Sequence, residues 1–230
     1  MNAFIINESI NSRVDLSLRI TMPPVIPVSK RIIESIDIDG REGMLTVLKG
    51  WEDMTFNMTV AITGRNIQTR WLTVLPPLLA AKTVCFSNTP NIYYRVKYVE
   101  VGELGMTLTT LGEFSLTFTC EPFRYMRNVE TITFTSAGVV TNPGTVYSLP
   151  RIKIYGTGLQ TLTINGKNVV LDILSGNLTL DSSLKDCYFN NVAMNNRMTG
   201  DFPILNVGLN TVAFGSGITK VEIEPMWRYI

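Results

Sequence analysis

The chain contains no histidine, and that absence removes more chemistry than any residue present supplies. A Ser-His-Asp triad, a Cys-His nucleophile pair and an H-E-x-x-H zinc site all need imidazole, and no other side chain ordinarily titrates near neutrality. Cysteine is nearly as scarce. Cys85, Cys120 and Cys187 are odd in number, widely spaced and form no C-x-x-C pair, so each reads as a small apolar core residue rather than a disulfide partner or metal ligand. An excess of one charge is missing too: 20 basic residues stand against 19 acidic ones, for a net charge of +1. With no run of like charge, the chain offers no footprint for nucleic acid or an anionic membrane. No stretch reaches the roughly 18 uncharged apolar residues of a membrane-spanning helix. The N-terminal Met-Asn-Ala-Phe-Ile-Ile lacks the basic region and apolar stretch of a secretory leader. The expectation is a chain made in the cytosol and not exported by that route.

What is present is apolar content, 45% of 230 residues, enough to fill one large core or two modest ones. The stretch from Asn142 to Gly156 organises the reading, because Pro143, Gly144 and Pro150 exclude a helix and predict a turn feeding a strand over Arg151 to Tyr155. Before it lies a chain with a single convincing helix, and after it only short strands. Apolar residues alternate through Val14 to Met22 and through Phe56, Met58, Val60 and Ile62, the period of a half-buried strand. Ile32 to Ile38 and Met44 to Leu48 flank Asp39-Gly40, a tight hairpin signal.

Arg65 to Leu75 predicts the helix, with Asn66 as cap, Ile67, Trp71, Val74 and Leu75 as its apolar stripe and Pro76-Pro77 as its end. Leu78 to Ala81 could add a further short turn. Strands follow at Thr83 to Phe86, Tyr93 to Val101 and Phe114 to Cys120.

After Glu121-Pro122 the strands shorten: Glu130 to Thr135, Arg151 to Tyr155, Thr161 to Ile164, Val169 to Ile173, Asn177 to Leu180, Asp186 to Tyr188, Thr211 to Phe214 and Lys220 to Glu224. Asn165-Gly166, Gly156-Thr157-Gly158, Ser175-Gly176 and Gly215-Ser216-Gly217 separate them as turns. Seven or eight strands with frequent turns describe a β-sandwich or jelly roll. The expected organisation is therefore mainly β: residues 1–128 form an N-terminal sandwich-like domain with one helix, and residues 129–230 a C-terminal sandwich.

No catalytic, cofactor-binding or metal residue stands out. Asp37-Ile38-Asp39-Gly40-Arg41-Glu42-Gly43 fails as a calcium loop, since Arg41, Glu42 and Leu48 occupy the positions that need an oxygen ligand, glycine and glutamate. Glu113, Glu121, Asp172, Asp181, Asp186 and Asp201 are scattered and form no local carboxylate pair for glycoside hydrolysis. Gly102-Glu103-Leu104-Gly105 and Gly156-Thr157-Gly158 complete neither a dinucleotide fingerprint nor a phosphate loop. Trp51, Trp227 and Tyr229 offer faces for sugar stacking, but large aromatics serve equally as core edges and subunit contacts. Arg124, Arg127, Arg151 and Arg197 are too dispersed for a patch.

Several stretches together resemble the distal tail proteins of long-tailed, non-contractile phages. Lys30 to Gly43, ending Gly40-Arg41-Glu42-Gly43, is similar to the family's early strand and G-R-x-G turn. Trp51-Glu52-Asp53, the strand Phe56 to Ile62, Trp71-Leu72 and Phe86 to Tyr94 continue it. Asn142-Pro143-Gly144-Thr145, Leu149-Pro150, Thr163 to Gly166, Met198 to Leu205 and Glu224 to Ile230 follow in the family's order, so the resemblance spans about the whole length.

It implies a galectin-like C-terminal sandwich and a structural, non-enzymatic hub of the tail tip or baseplate, in a phage infecting Gram-positive bacteria. Six copies would form a ring, single or stacked in pairs. That ring would join the major tail protein of the tube to a tail-associated lysin or fibre and carry receptor-binding proteins, with DNA only as passing cargo and no membrane contact. The implied place is the tail tip of the virion. Galectins read sugar partly through histidine, so a galectin-like fold here does not bring that activity with it. A carbohydrate-binding module for host wall sugar remains the second reading, and a tail-borne wall hydrolase the third.

Overall fold

The computed structural model describes residues 3–174 and 176–230, in two compact units. One ends at Arg127 and takes in Ile230; the other is Asn128–Tyr229. Met1, Asn2 and Ser175, which belong to the expected N-terminal segment and the expected Ser175-Gly176 turn, lie outside the described residues.

In the first unit one antiparallel sheet runs in the order Ile10–Asn11, Phe4–Ile6, Thr83–Phe86, Ile92–Val101, Leu111–Met126, Met54–Thr63 and Leu18–Met22. Gly105–Leu108 also pairs with Leu111–Met126. The alternation read from the sequence sets the register. Phe56 lies opposite Phe118, Met58 opposite Leu116 and Val60 opposite Phe114, so each inward pair meets an inward pair and the curled sheet encloses one core. Phe4 closes it, edge-on to Phe118 with ring centroids 5.6 Å apart.

The helix runs Ile67–Leu79, and Ile67, Val74 and Leu78 are its buried stripe. Trp71 lies edge-on to Phe114, 4.7 Å between centroids. Two expectations are corrected here. Asn66 adopts a left-handed conformation and makes no side-chain cap, and Pro76 and Pro77 lie inside the helix rather than ending it. The prolines remove the amides that would bond the carbonyls of Leu72 and Thr73, but these residues lie on the helix's exposed side where water replaces the bonds. Burial of Leu78, one turn beyond Val74, favours continuing the helix. It stops at Ala80, whose amide donates to the Pro76 carbonyl at 3.0 Å.

The expected Phe114 to Cys120 strand is much longer, Leu111–Met126, and passes through Glu121-Pro122. A register shift between Cys120 and Arg124 absorbs Pro122, which has no amide to offer a ladder. The expected Val14 to Met22 strand begins only at Leu18. Asn11 Oδ1 accepts from the amides of Arg13 (2.9 Å) and Val14 (3.2 Å), holding that stretch in a turn. Phe4–Ile6, Ile10–Asn11 and Gly105–Leu108 were not anticipated.

The second unit is a two-sheet sandwich. One sheet runs Ile132–Phe134, Ile218–Glu224, Arg151–Gly156, Asn177–Asp181, Asp186–Phe189 and Val192–Ala193; the other runs Gly138–Asn142, Gly208–Phe214, Gly158–Ile164, Lys167–Ile173 and Met198–Thr199. This exceeds the seven or eight strands expected, because Gly138–Asn142 and the two-residue strands carry too little pattern to read. Ile152, Ile154 and Val221 from one sheet pack against Leu162, Leu171 and Val212 from the other.

The stretch beginning at Asn142 is a turn built round a buried amide. Asn142 Nδ2 donates to the carbonyls of Val146 and Leu205, both at 3.1 Å, and its Oδ1 accepts from the Gly144 amide at 2.8 Å. A Cβ on Gly144 would meet the Arg228 carbonyl oxygen at 2.3 Å, so only glycine fits. Ser148 and Leu205 then exchange backbone bonds of 2.8 and 3.1 Å, clamping the 200–206 segment to the sandwich.

Candidate functional site

Arg31–Ile36 and Leu45–Trp51 form the predicted hairpin, with Gly40 at φ +79° in its loop. Unlike the other predicted strands it buries no core face: all six residues of Arg31–Ile36 are exposed. The register puts Ile33 (56% exposed) opposite Leu48 (58%) on one face and Ile36 opposite Leu45 on the other. Each face thus carries an exposed apolar pair.

Among the described residues, the contacts that anchor the hairpin are found at its base. Ser29 Oγ donates to the Glu52 carbonyl at 2.6 Å, Glu52 N donates to Lys30 O at 2.8 Å, and the Arg31 guanidinium lies 3.9 Å from the centre of the Trp51 ring, which is edge-on to Phe123. The exposed Lys49–Glu34 pair at 2.8 Å adds little. Exposed apolar residues continue into the preceding segment at Met22, Val25 and Val28. A two-stranded ribbon is marginal in water by itself.

In the second unit a cavity of about 340 Å³ opens between the Asn165-Gly166 turn, the loop after Asp181 and the clamped 200–206 segment. Its walls combine apolar side chains, among them Ile164 and Phe202, with Lys167, Lys185, Asp201 and the buried Ser182. Asn210 fixes the rim: its Oδ1 accepts from Asn165 Nδ2 and the Asn206 amide, both at 2.7 Å, and its Nδ2 donates to the Asn206 and Gly208 carbonyls at 2.8 Å.

The six scattered carboxylates have different surroundings. Glu121 accepts from the Tyr125 hydroxyl at 2.7 Å, Asp172 pairs with Arg197 at 2.5 Å, and Asp186 accepts from Asn195 at 2.8 Å. Glu113 is exposed on the first unit's sheet and Asp201 is at the cavity. Asp181 is a fold residue. Burial opposes its charge, but the Ser183 hydroxyl (2.6 Å), the Leu184 amide (3.1 Å) and Arg151 (3.2 Å) together hold its carboxyl below the ordinary 3.8.

Its stabilisation is complete above pH 3.8 and is lost as the pH falls through the lowered folded value. Asp181→Asn is expected to cost about 1–3 kcal/mol at neutral pH. Chemical denaturation at successive pH values should show the gap from wild type closing below the ordinary carboxylate pKa.

The three aromatics offered for stacking differ in exposure. Trp227 is only 5% exposed and belongs to the sandwich core, with Tyr229 packed against that core and Trp51 engaged at the hairpin base. Burial explains Trp227, while Trp51 and Tyr229 are half-buried. The arginines stay apart: Arg124 donates to the Pro27 and Ile230 carbonyls, Arg127 to Cys85 Sγ, and Arg151 and Arg197 to their carboxylates. The three cysteines are free and buried, and burial pushes the thiols of Cys120 and Cys187 up to about 12 and about 11. Among the described residues no three potential ligands are grouped to hold a metal ion. The 37–43 loop is simply the exposed end of the hairpin.

No protein-family model matches the chain, and no curated protein sequence matches it. Solved structures do. The Dit (gp 19.1) protein of phage SPP1, described as a paradigm of the hub adsorption apparatus in phages infecting Gram-positive bacteria, aligns with a TM-score of 0.68 at 14% identity over 100% of both chains. A chain of the phage p2 baseplate, in its activated conformation with Sr, aligns with a TM-score of 0.52 at 10% identity over 97% of each. From end to end, the chain has the fold of the SPP1 hub protein.

Proposed function

We propose that the chain is a tail-tip hub of a long-tailed, non-contractile phage infecting a Gram-positive bacterium, with its work residing in protein interfaces rather than catalysis. The observation that carries this reading is the alignment with the SPP1 hub protein across both units without a gap in coverage. Six copies close into a ring at the end of the tail tube, the N-terminal unit forming the ring and the C-terminal sandwich facing outward toward receptor-binding proteins. The ring meets the major tail protein on one side and a tail-associated lysin or fibre on the other, leaving a passage for DNA. A closed ring needs each copy to offer one patch and receive another. The hairpin, with an exposed apolar pair on each face, is the patch offered.

Light scattering on the purified chain tests this. The expected mass is about 154 kDa, six times 25.7 kDa, or twice that for paired rings; a 25.7 kDa species at every concentration contradicts it. Because the net charge is +1 and the patch presents apolar pairs, raising salt to about 1 M, where the screening length is about 3 Å, is expected to leave the mass unchanged. Dissociation at that salt would mean that charge holds the ring.

A further inference from the structure

A ring built from the hairpin needs a surface on the same chain to receive it. The first unit carries a second exposed apolar group, on the helix and the strand Gly105–Leu108. Leu72 is 70% exposed and Leu108 60%, with Met106 exposed between them in the strand. Gln68 Nε2 donates to Met106 Sδ at 3.9 Å, so the helix and this strand adjoin, and Leu72 lies one helical turn beyond Gln68.

The strand is also open along one edge. Among the described residues it pairs with Leu111–Glu113 alone, and all four of its residues are exposed. Leu45–Trp51 in turn pairs only with Arg31–Ile36. Each therefore presents backbone amides and carbonyls that a further strand can satisfy.

The distribution of charge gives such a pairing a direction. Residues 30–36 and 45–51 of the hairpin carry Lys30, Arg31 and Lys49 against Glu34. The turn at 37–44 carries Asp37, Asp39 and Glu42 against Arg41. The strand Gly105–Leu108 has the reverse gradient. Glu113 lies opposite Gly105, with Glu103 just before it. Past Leu108, the Thr110 carbonyl accepts from the Gly64 amide at 3.0 Å, and that brings this end beside Arg65 and beside the Arg70 guanidinium, which crowds Gly64. Opposite charges meet when the base of the hairpin lies at Gly105 and its turn lies beyond Leu108. In that direction Leu45–Trp51 runs antiparallel to Gly105–Leu108, the commoner pairing of strands.

Taking the chain as a ring-forming hub, we infer that the open edge of Gly105–Leu108, with Leu72 beside it, receives the hairpin of the next copy, Leu45–Trp51 adding as an antiparallel strand. The Ile36–Leu45 pair, next to the turn, then covers Leu108 and Leu72. Main-chain bonds and these apolar contacts supply the affinity, while charge sets the orientation, so the assembly persists at high salt.

Crosslinking in the full chain tests this. The three native cysteines are buried, so Thr46→Cys combined with Thr107→Cys, both at exposed positions, puts one reactive thiol on each surface. A short bismaleimide is expected to join successive copies into a ladder of covalent oligomers, and either single variant is expected to stay a single chain on a denaturing gel. Leu72→Asp with Leu108→Asp is expected to reduce the mass from about 154 kDa to 25.7 kDa, with the melting temperature unchanged because both side chains are exposed. The amides of residues 45–51 and 105–108 that no strand of the same copy pairs are expected to exchange hydrogen slowly in the assembled wild type and fast in that double aspartate variant. An assembled wild type that gives no ladder, exchanges fast at 105–108 or keeps its mass through the double aspartate substitution would overturn this surface and leave the hub reading standing. A 25.7 kDa wild-type chain at every concentration would overturn both.

Discussion

Ile36→Asp combined with Leu45→Asp is expected to reduce the mass of the assembled chain from about 154 kDa to 25.7 kDa. The two residues lie opposite each other on one face of the hairpin and are 40% and 36% exposed in the single chain, so their substitution removes nothing from either core. In a ring each would be covered by a neighbour. Burying a side chain of this size contributes about 1.5–3 kcal/mol, and covering an unpaired aspartate costs at least a similar amount. The combined loss per contact, on the order of 5 kcal/mol, weakens association by more than about a thousandfold. The circular dichroism spectrum and melting temperature should stay near wild type, separating lost assembly from lost fold. An assembled mass that survives the double substitution would show that this face is not the contact.

The second large effect is on stability. Trp227→Ala is expected to destabilise the second unit by about 3–5 kcal/mol, the range for removing a large aromatic from a packed core. The indole belongs to the cluster containing Ile152, Ile154 and Leu205, and replacing it leaves a cavity that rigid sheets close only in part. Calorimetry should show the transition of the second unit shifted down. Were the indole a sugar platform instead, the substitution would abolish wall-sugar binding and leave stability intact. A Trp227→Ala chain that melts like wild type would contradict its placement in the core.

These residues also show where a sequence can be read and where it cannot. The alternation through Met54–Thr63 and the Asp39-Gly40 turn were legible, because strand period and turn geometry are decided within a few residues. Pro76, Pro77 and Pro122 misled, because a breaker is overruled when packing on either side holds the chain: Leu78 on the core in one case, a bulge in a long ladder in the other. The hairpin strands were found, but their exposure was not. Ile32, Ile33, Ile36 and Ile38 show no clean two-residue period, and that irregularity was the available sign that no single face is buried. The cavity had no sign at all. Lys167, Ser182, Lys185 and Asp201 come from the start of a strand, the loop after Asp181 and the 200–206 segment, far apart in the chain, and the fold brings them to one opening. Asn142 itself was read only as part of a turn; that its side chain is the turn's hydrogen-bonding centre depends on Leu205, far along the chain.

Electron microscopy of the wild-type peak from size exclusion tests the central claim most directly. The account predicts six-fold rings with an open centre, in which the ribbon of residues 31–51 of each copy lies against the next. Solitary particles, or rings in which that ribbon projects into solvent with both apolar pairs bare, would contradict it.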